Sequence, residues 1–375
     1  MASNWSELQM ELLDLIIKRL DAIVDIIRFK AVCSKWYRAA QLYMTSPLLM
    51  LPSDKKEEAD DCRFFSVAEN KIYKINNVFD GFHGAWCVGS SHGWLLILDK
   101  ETKPHLLNPL SGALFQLPFI NTLLPYQELQ MYRSSPTFVE LLVKFCFSKA
   151  ILMSSDLCLS DVSRGKSFCI VVIYGLSSQR LAFCMPGDST WTRFGGDDHE
   201  YLDITCHNGM LYSLSSKGLV EIWDFHGPSP KKVLVFELST TVCQFLEAHT
   251  RFPDKIAFLI ESKGDLLLVL MLQTDREFAI YKLDYSGKVW IPVETLSDQA
   301  LFISENECRS VSTQNFPKLR ENSIYFINSA KYSKIGRYNV GVFNFKEKKL
   351  DDEAEDNKYF RSIYLPVYWV ALNPR

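Results

Sequence analysis

A change of hydrophobic period near residue 45 constrains this chain more than any other feature. From Trp5 to Tyr43, apolar residues recur at helical spacing: Leu8, Leu12, Ile16 and Leu20 fall every four positions, and Leu13 and Ile17 widen the stripe. A second set follows at Ile23, Val24, Ile26 and Ile27, then Phe29, Val32, Cys33 and Trp36. No Gly or Pro interrupts residues 1–46. The spacing predicts three short helices with tight connections near Asp21 and Arg28. Ser6 is placed to cap the first, with Glu7 and Glu11 near the positive end of its dipole.

Beyond the polar stretch SDKKEEADDC, alternation replaces this period. Strands are predicted at 71–75, 94–98, 168–174, 210–214, 219–223, 255–260, 266–272, 278–283, 323–327 and 339–345. These runs are rich in Val, Ile, Phe and Tyr and are separated by turn residues. No long helical pattern breaks the series, which argues against a parallel βαβ sheet.

A loose repeat runs through these strands. Ser91-His92-Gly93-Trp94 and His207-Asn208-Gly209-Met210 each set a polar-Gly turn before a short apolar strand. Glu261-Ser262-Lys263-Gly264 and Leu319-Arg320-Glu321-Asn322 repeat the theme. Units of 45–55 residues built this way are those of four-stranded propeller blades. The expected fold class is therefore mainly β with an N-terminal α module: a six-bladed β-propeller, with seven blades also possible. A strand from the closing segment 359–370 would complete the first blade and shut the ring. A pair of β-sandwiches is the alternative.

A helical module of about forty residues buries little surface alone, so part of its apolar face expects a partner. From periodicity, that partner is either another protein or the domain that follows. The specific residues add more. The run WSELQMELLDLIIKRLDAIVDIIRFKAVCSKWYRAA resembles the F-box, above all in Arg28-Phe29 and in Val32-Cys33-x-x-Trp36. The resemblance implies docking to a Skp-family adaptor, and through it to a cullin. It implies adaptor contacts at Leu8, Gln9, Leu12, Leu13, Ile16, Val32 and Trp36. Some of these must hold the helices together instead.

Gln9 departs from the family, which usually has proline after the opening leucine. Proline presets the backbone there and removes a donor that lacks a helical partner.

The remainder resembles the plant F-box proteins whose C-terminal part is catalogued as domain of unknown function 295, a kelch-like propeller. The residues that carry this are His92-Gly93-Trp94-Leu95, Leu107-Asn108-Pro109-Leu110-Ser111-Gly112, Cys308-Arg309-Ser310-Val311-Ser312 and Asn322-Ser323-Ile324-Tyr325-Phe326. The expected organisation is an F-box at 1–45, a linker at 46–62 and the propeller at 63–375.

Composition limits the function classes. Forty-four acidic against 41 basic residues give a net charge of −3, so no global basic field draws nucleic acid. The ten cysteines form no CxxC pair, and they read as reduced thiols of the nucleus or cytoplasm. Glu7 and Glu11 interrupt the apolar pattern that a signal peptide needs. The run Leu266–Leu272 is too short to span a bilayer, so no membrane association is expected.

Asp197-Asp198-His199-Glu200 is the densest polar cluster and reads as a solvated turn. The other histidines lack HxxxH or HxH spacing. No nucleophile elbow, phosphate loop or dinucleotide fingerprint is present. No catalytic residue, metal site or cofactor is therefore expected. Trp94, Trp191, Trp223 and Trp290 recur in the blades; most are expected to pack between blades and a few aromatic residues to line the binding face. The expected function is target selection for a ubiquitin ligase, with an unidentified protein substrate held on propeller loops. The alternatives are an interaction module outside any ligase, and a propeller with a polar central pocket for a small molecule.

Overall fold

The computed structural model describes residues 5–20, 22–40, 46–51, 61–82, 85–124, 146–154, 168–175, 178–227, 229–249, 256–272, 277–329, 338–351 and 368–373. Among them, three short helices precede six blades. Helix α1 is Met10–Ile17, α2 is Ile23–Ala31 and α3 is Ser34–Ala39. The residue that caps α1 is Gln9, not Ser6, because Trp5–Glu7 form a separate 3-10 turn. Cys33 sits outside a helix, as the extended residue that opens α3.

Blade 1 holds β1 (Leu48–Leu51), β2 (Cys62–Ser66) and β3 (Lys71–Ile75). Blade 2 holds β4 (Trp86–Ser91), β5 (Trp94–Leu98), β6 (Pro104–Leu107) and β7 (Leu114–Gln116). Blade 3 comprises β8 (Phe147–Ser154), β9 (Phe168–Tyr174), β10 (Arg180–Cys184) and β11 (Thr192–Phe194). Blade 4 comprises β12 (Tyr201–His207), β13 (Met210–Ser215), β14 (Leu219–Asp224) and β15 (Lys231–Glu237). Blade 5 runs from β16 (Ala257–Ser262) and β17 (Asp265–Leu272) to β18 (Glu277–Asp284) and β19 (Val289–Pro292). Blade 6 contains β20 (Gln299–Ile303), β21 (Cys308–Ser312), β22 (Ser323–Ser329), β23 (Tyr338–Asn344) and β24 (Lys349–Leu350). The last strand, β25 (Trp369–Val370), returns to pair with β1, Leu48 facing Val370 and Leu49 facing Trp369. This is the ring closure expected from the sequence.

The polar-Gly repeats are the hairpins between the first two strands of blades 2, 4 and 5. Each has a two-residue loop with both residues at positive φ: His92 52° and Gly93 87°, Asn208 49° and Gly209 74°, Lys263 52° and Gly264 81°. Type I′ turns require that conformation, and it matches the twist of the flanking strands. The fourth repeat does not follow suit. Asn322 precedes β22, which pairs in parallel with β20 rather than forming a hairpin.

Two further expectations change. The linker predicted at 46–62 begins too early, because Leu48–Leu51 are apolar enough to enter blade 1 as β1; residues 52–60 fall outside the described residues. A helix absent from the sequence reading, α4 (Thr240–His249), joins blades 4 and 5 and buries Val242 and Leu246 one turn apart. Its stripe is only two residues long, too short to register as a period.

Apolar clusters fill the spaces between neighbouring blades. Trp94 and Trp191 lie in the cluster between blades 2 and 3, Trp223 between 3 and 4, and Trp290 against the cluster between 4 and 5. Among the described residues, no helix is long and apolar enough to cross a membrane, and the cysteines are free.

Candidate functional site

The helical module has its own small core of Leu13, Ile17, Ile26, Phe29 and Ala40. Phe29 packs on Trp36 with ring centroids 4.5 Å apart, and Trp36 Nε1–H donates to the carbonyl of Trp5 at 3.0 Å. Phe29 and Trp36 therefore link the helices to each other, whereas Arg28 is exposed and, among the described residues, pairs only with Asp25 of its own helix.

The residues expected at the adaptor surface separate into three groups. Leu13 is fully buried, so it holds the helices together. Leu8, Ile16 and Trp36 are half-buried at the edge of the core. Gln9 is exposed, as are Leu12 at 45% and Val32 at 52%. Leu15, 55% exposed, lies about 60° from Leu12 around α1 and widens this open apolar side; Met10 and Trp5 are exposed elsewhere on the module. Leu15 was missed because it lies off the four-residue stripe; its i+3 spacing from Leu12 was the available signal.

Gln9 has φ −65° and ψ 151°. That φ is the value a proline ring enforces. The departure from the family motif thus leaves the backbone path unchanged and removes only its preorganisation.

The opposite side of the module is covered. Ile23 lies in one apolar cluster with Leu48, Phe64, Phe79, Leu95 and Val370, and Val24 and Ile27 pack against it. The Ile23 N–H donates to Glu69 at 2.9 Å, and the Tyr73 hydroxyl donates to the same carboxylate. Asn373, just beyond β25, donates from Nδ2 to the Tyr37 hydroxyl of α3 at 2.9 Å. A Cβ on Gly93 would meet the backbone nitrogen of Asn373 at 2.5 Å, so this close approach needs glycine.

A polar cavity of about 370 Å3 occupies the central channel, lined by residues of the inner strands β4, β8, β12, β16 and β21. Its lining includes His92, whose hairpin touches Asn373, so the cavity lies at the end of the ring that carries the helices. Lys149 and Asp203 form a buried pair at 2.7 Å, and Asp203 also accepts the Leu259 N–H at 2.6 Å, joining blades 3, 4 and 5. Burial opposes the Lys149 charge, but Asp203 and other nearby acidic groups hold its pKa above the usual lysine range. Burial pushes the Glu307 carboxyl up, against the pull of Arg309. Ser90 Oγ lies 2.9 Å from both Glu307 and the Trp369 carbonyl. One hydroxyl proton serves one acceptor at a time, and a protonated Glu307 would supply the second. Burial, aided by Arg309, lowers the His92 pKa to about 4, so it is neutral at pH 7.

The Asp197–Glu200 cluster is only partly the solvated turn expected. His199 is buried, with Nδ1 2.8 Å from Asp198 and Nε2 4.0 Å from Glu221. Glu221 is already bonded by Tyr201 and Lys232, both at 2.8 Å. Among the described residues, no three His, Cys, Asp or Glu gather as metal ligands would.

A ring of blades shut by its last strand, with a three-helix module docked at one end, defines an F-box protein with a β-propeller. The model of the KIB1-4 β-propeller matches residues 64–344, and the chain belongs to that family. The kelch-like label suggested by the sequence fits it loosely. Similar proteins in Arabidopsis thaliana span both parts of the chain. The F-box/kelch-repeat protein At1g57790 is 25% identical over 92% of this chain and 90% of its own length. F-box protein SKIP23 is 23% identical over 99% and 97%, and F-box protein At2g26160 is 22% identical over 88% and 98%. At the level of the family, these relatives and the propeller support a plant F-box protein with a role in substrate recognition.

Proposed function

We propose that this chain is the substrate-recognition subunit of an SCF-type cullin-RING ubiquitin ligase, acting in the nucleus or cytoplasm. The observation that carries the reading is the open apolar face of Leu12, Leu15 and Val32 on a module whose other side is fixed to the propeller. A Skp-family adaptor covers that face, a cullin follows through the adaptor, and the propeller holds the target protein. The chain contributes proximity: it keeps a target lysine near a ubiquitin-charged enzyme and raises its effective concentration. It supplies no catalytic group itself.

Capture of recombinant plant Skp adaptor by the full chain tests this. Wild type binds, and Leu12→Asp with Val32→Asp does not, while the thermal midpoint is retained. No binding by a folded wild type sinks the proposal. The channel cavity favours a second reading, in which the propeller also receives a small polar molecule, because ionisable groups converge on a pre-formed space.

A further inference from the structure

The outermost strand of a propeller blade carries unpaired backbone groups, and such an edge recruits other chains unless something guards it. Among the described residues, five of the six outer edges are guarded. β7, β11 and β24 are three, three and two residues long. β19 ends on Pro292, and β3 turns Lys71 and Lys74 to solvent. β15 is the exception. It is last in its sheet and seven residues long, and Val233, Leu234 and Val235 are 41%, 49% and 43% exposed.

The guards that β15 does carry are weak. Lys232 turns back onto its own blade, where Nζ bonds Glu221 at 2.8 Å and lies 5.4 Å from the centre of the Trp223 ring. A bulge at Val233 sets Lys232 opposite Trp223 and Leu234 opposite Ile222, which bends the strand without covering it. Leu234 and Val235 point to opposite faces, so the strand is open on both faces as well as along its edge. Its remaining charges sit at its two ends. Lys231 and Glu237 are both exposed, and neither has an ion pair among the described residues. Asp224, which faces Lys231 across β14, is already engaged by His226.

We propose that β15 is a self-association edge: two copies of this chain pair their β15 strands antiparallel about a two-fold axis at Leu234, joining two blades into one continuous sheet. The order of residues in Lys-Lys-Val-Leu-Val-Phe-Glu favours a second copy over an unrelated partner. Reversed against itself, the strand brings the lysine end of one copy to Glu237 of the other, with Val233 and Val235 flanking a central pair of Leu234. The axis sets the two bulges at equivalent positions, so the paired strands carry matched bends. One strand pair buries less than the about 1,200 Å2 at the low end of standard interfaces, so a dissociation constant on the order of 10–100 µM is expected. In a ring of six, blade 4 stands across from blade 1, where Leu48 and Phe64 seat the helical module. The pair therefore leaves both modules at its outer ends, and it stands whether or not the chain serves in a ligase.

Sedimentation equilibrium of the full chain, from about 1 to about 200 µM, tests the pairing by mass action. Wild type shifts from monomer toward dimer over that range. Leu234→Lys sets two like charges on the axis and weakens association about ten-fold or more, while the thermal midpoint at the lowest concentration stays within about 2 °C of wild type. Lys231→Glu and Glu237→Lys, taken singly, each weaken it about three-fold or more, and the two together restore it. A monomer at every concentration overturns the proposal and leaves the edge to an extended segment of a target protein. A dimer indifferent to Leu234→Lys, or one that the double exchange does not restore, also overturns it, because another surface then holds the copies.

Hydrogen exchange supplies a readout that needs no variant. The amides of β15 that point away from β14 should be protected at the high end of the concentration range and free at the low end, with β3 and β19 unchanged. Equal exchange of β15 at both ends overturns the proposal.

Discussion

Ile23, Val24 and Ile27 on one side of the helical module, and Leu12, Leu15 and Val32 on the other, are chemically alike. The first set is covered by Leu48, Phe64 and Val370, whereas the second faces solvent. Ile23 and Ile27 are four apart and Leu12 and Leu15 three, both helical spacings, and nothing in side-chain type distinguishes the sets. What separates them is where α2 lies. It carries apolar residues on two flanks, Ile26 and Phe29 toward its sister helices and Ile23 and Ile27 toward the blades. Helix α1 has only one inner flank, so Leu12 and Leu15 remain open, and Val32 is open where it ends α2. A small module can thus be anchored and still offer a docking surface.

Substitutions on the two sides should fail differently. The largest effect is expected at Trp369 of the ring closure, whose next residue, Val370, sits in the anchor. Trp369→Ala empties a buried ring between blades 1 and 6 and removes its Nε1–H bond to Ile303 at 3.2 Å. A loss of about 3–5 kcal/mol is expected by chemical denaturation. A loss under about 1 kcal/mol would mean that β25 does not close the ring. Leu13→Ala in the module core should cost about 2–5 kcal/mol and weaken adaptor capture only through unfolding, which lowering the temperature would restore. Leu15→Asp, on the open face, should change stability by no more than about 0.5 kcal/mol and still weaken adaptor binding roughly 30-fold or more in a titration. Equal effects from Leu13→Ala and Leu15→Asp would erase the distinction between the two sides.

The smallest effect belongs to Gln9→Pro. Because φ is already −65°, proline should stabilise by about 0.4–1 kcal/mol through the unfolded chain. It should tighten adaptor binding modestly, and a destabilising outcome would show that the Gln9 N–H is needed.

Much of this was legible in the sequence. The blade hairpins announced themselves because a type I′ turn demands two positive-φ residues, and His92-Gly93, Asn208-Gly209 and Lys263-Gly264 supply them. The blade tryptophans were equally readable as core. The roles within the module were not, since Leu12 and Leu13 are neighbours of the same type and only packing shows that one is exposed and the other buried. The channel was illegible for a different reason. Lys149 and Asp203, its buried pair, are 54 positions apart, and each reads alone as an ordinary surface charge.

The return of β25 to the first blade also sets a timetable. During synthesis this strand leaves the ribosome after every other strand described, so blade 1 waits open until then. Val370, Leu372 and Asn373, which form part of the seat for α2 and α3, arrive with it. An interrupted chain would therefore carry the helical module on an incomplete seat, held by Leu48, Phe64 and Glu69 but without the contacts of Val370 and Asn373. The full bearing on the propeller is granted only to molecules translated as far as the closing strand.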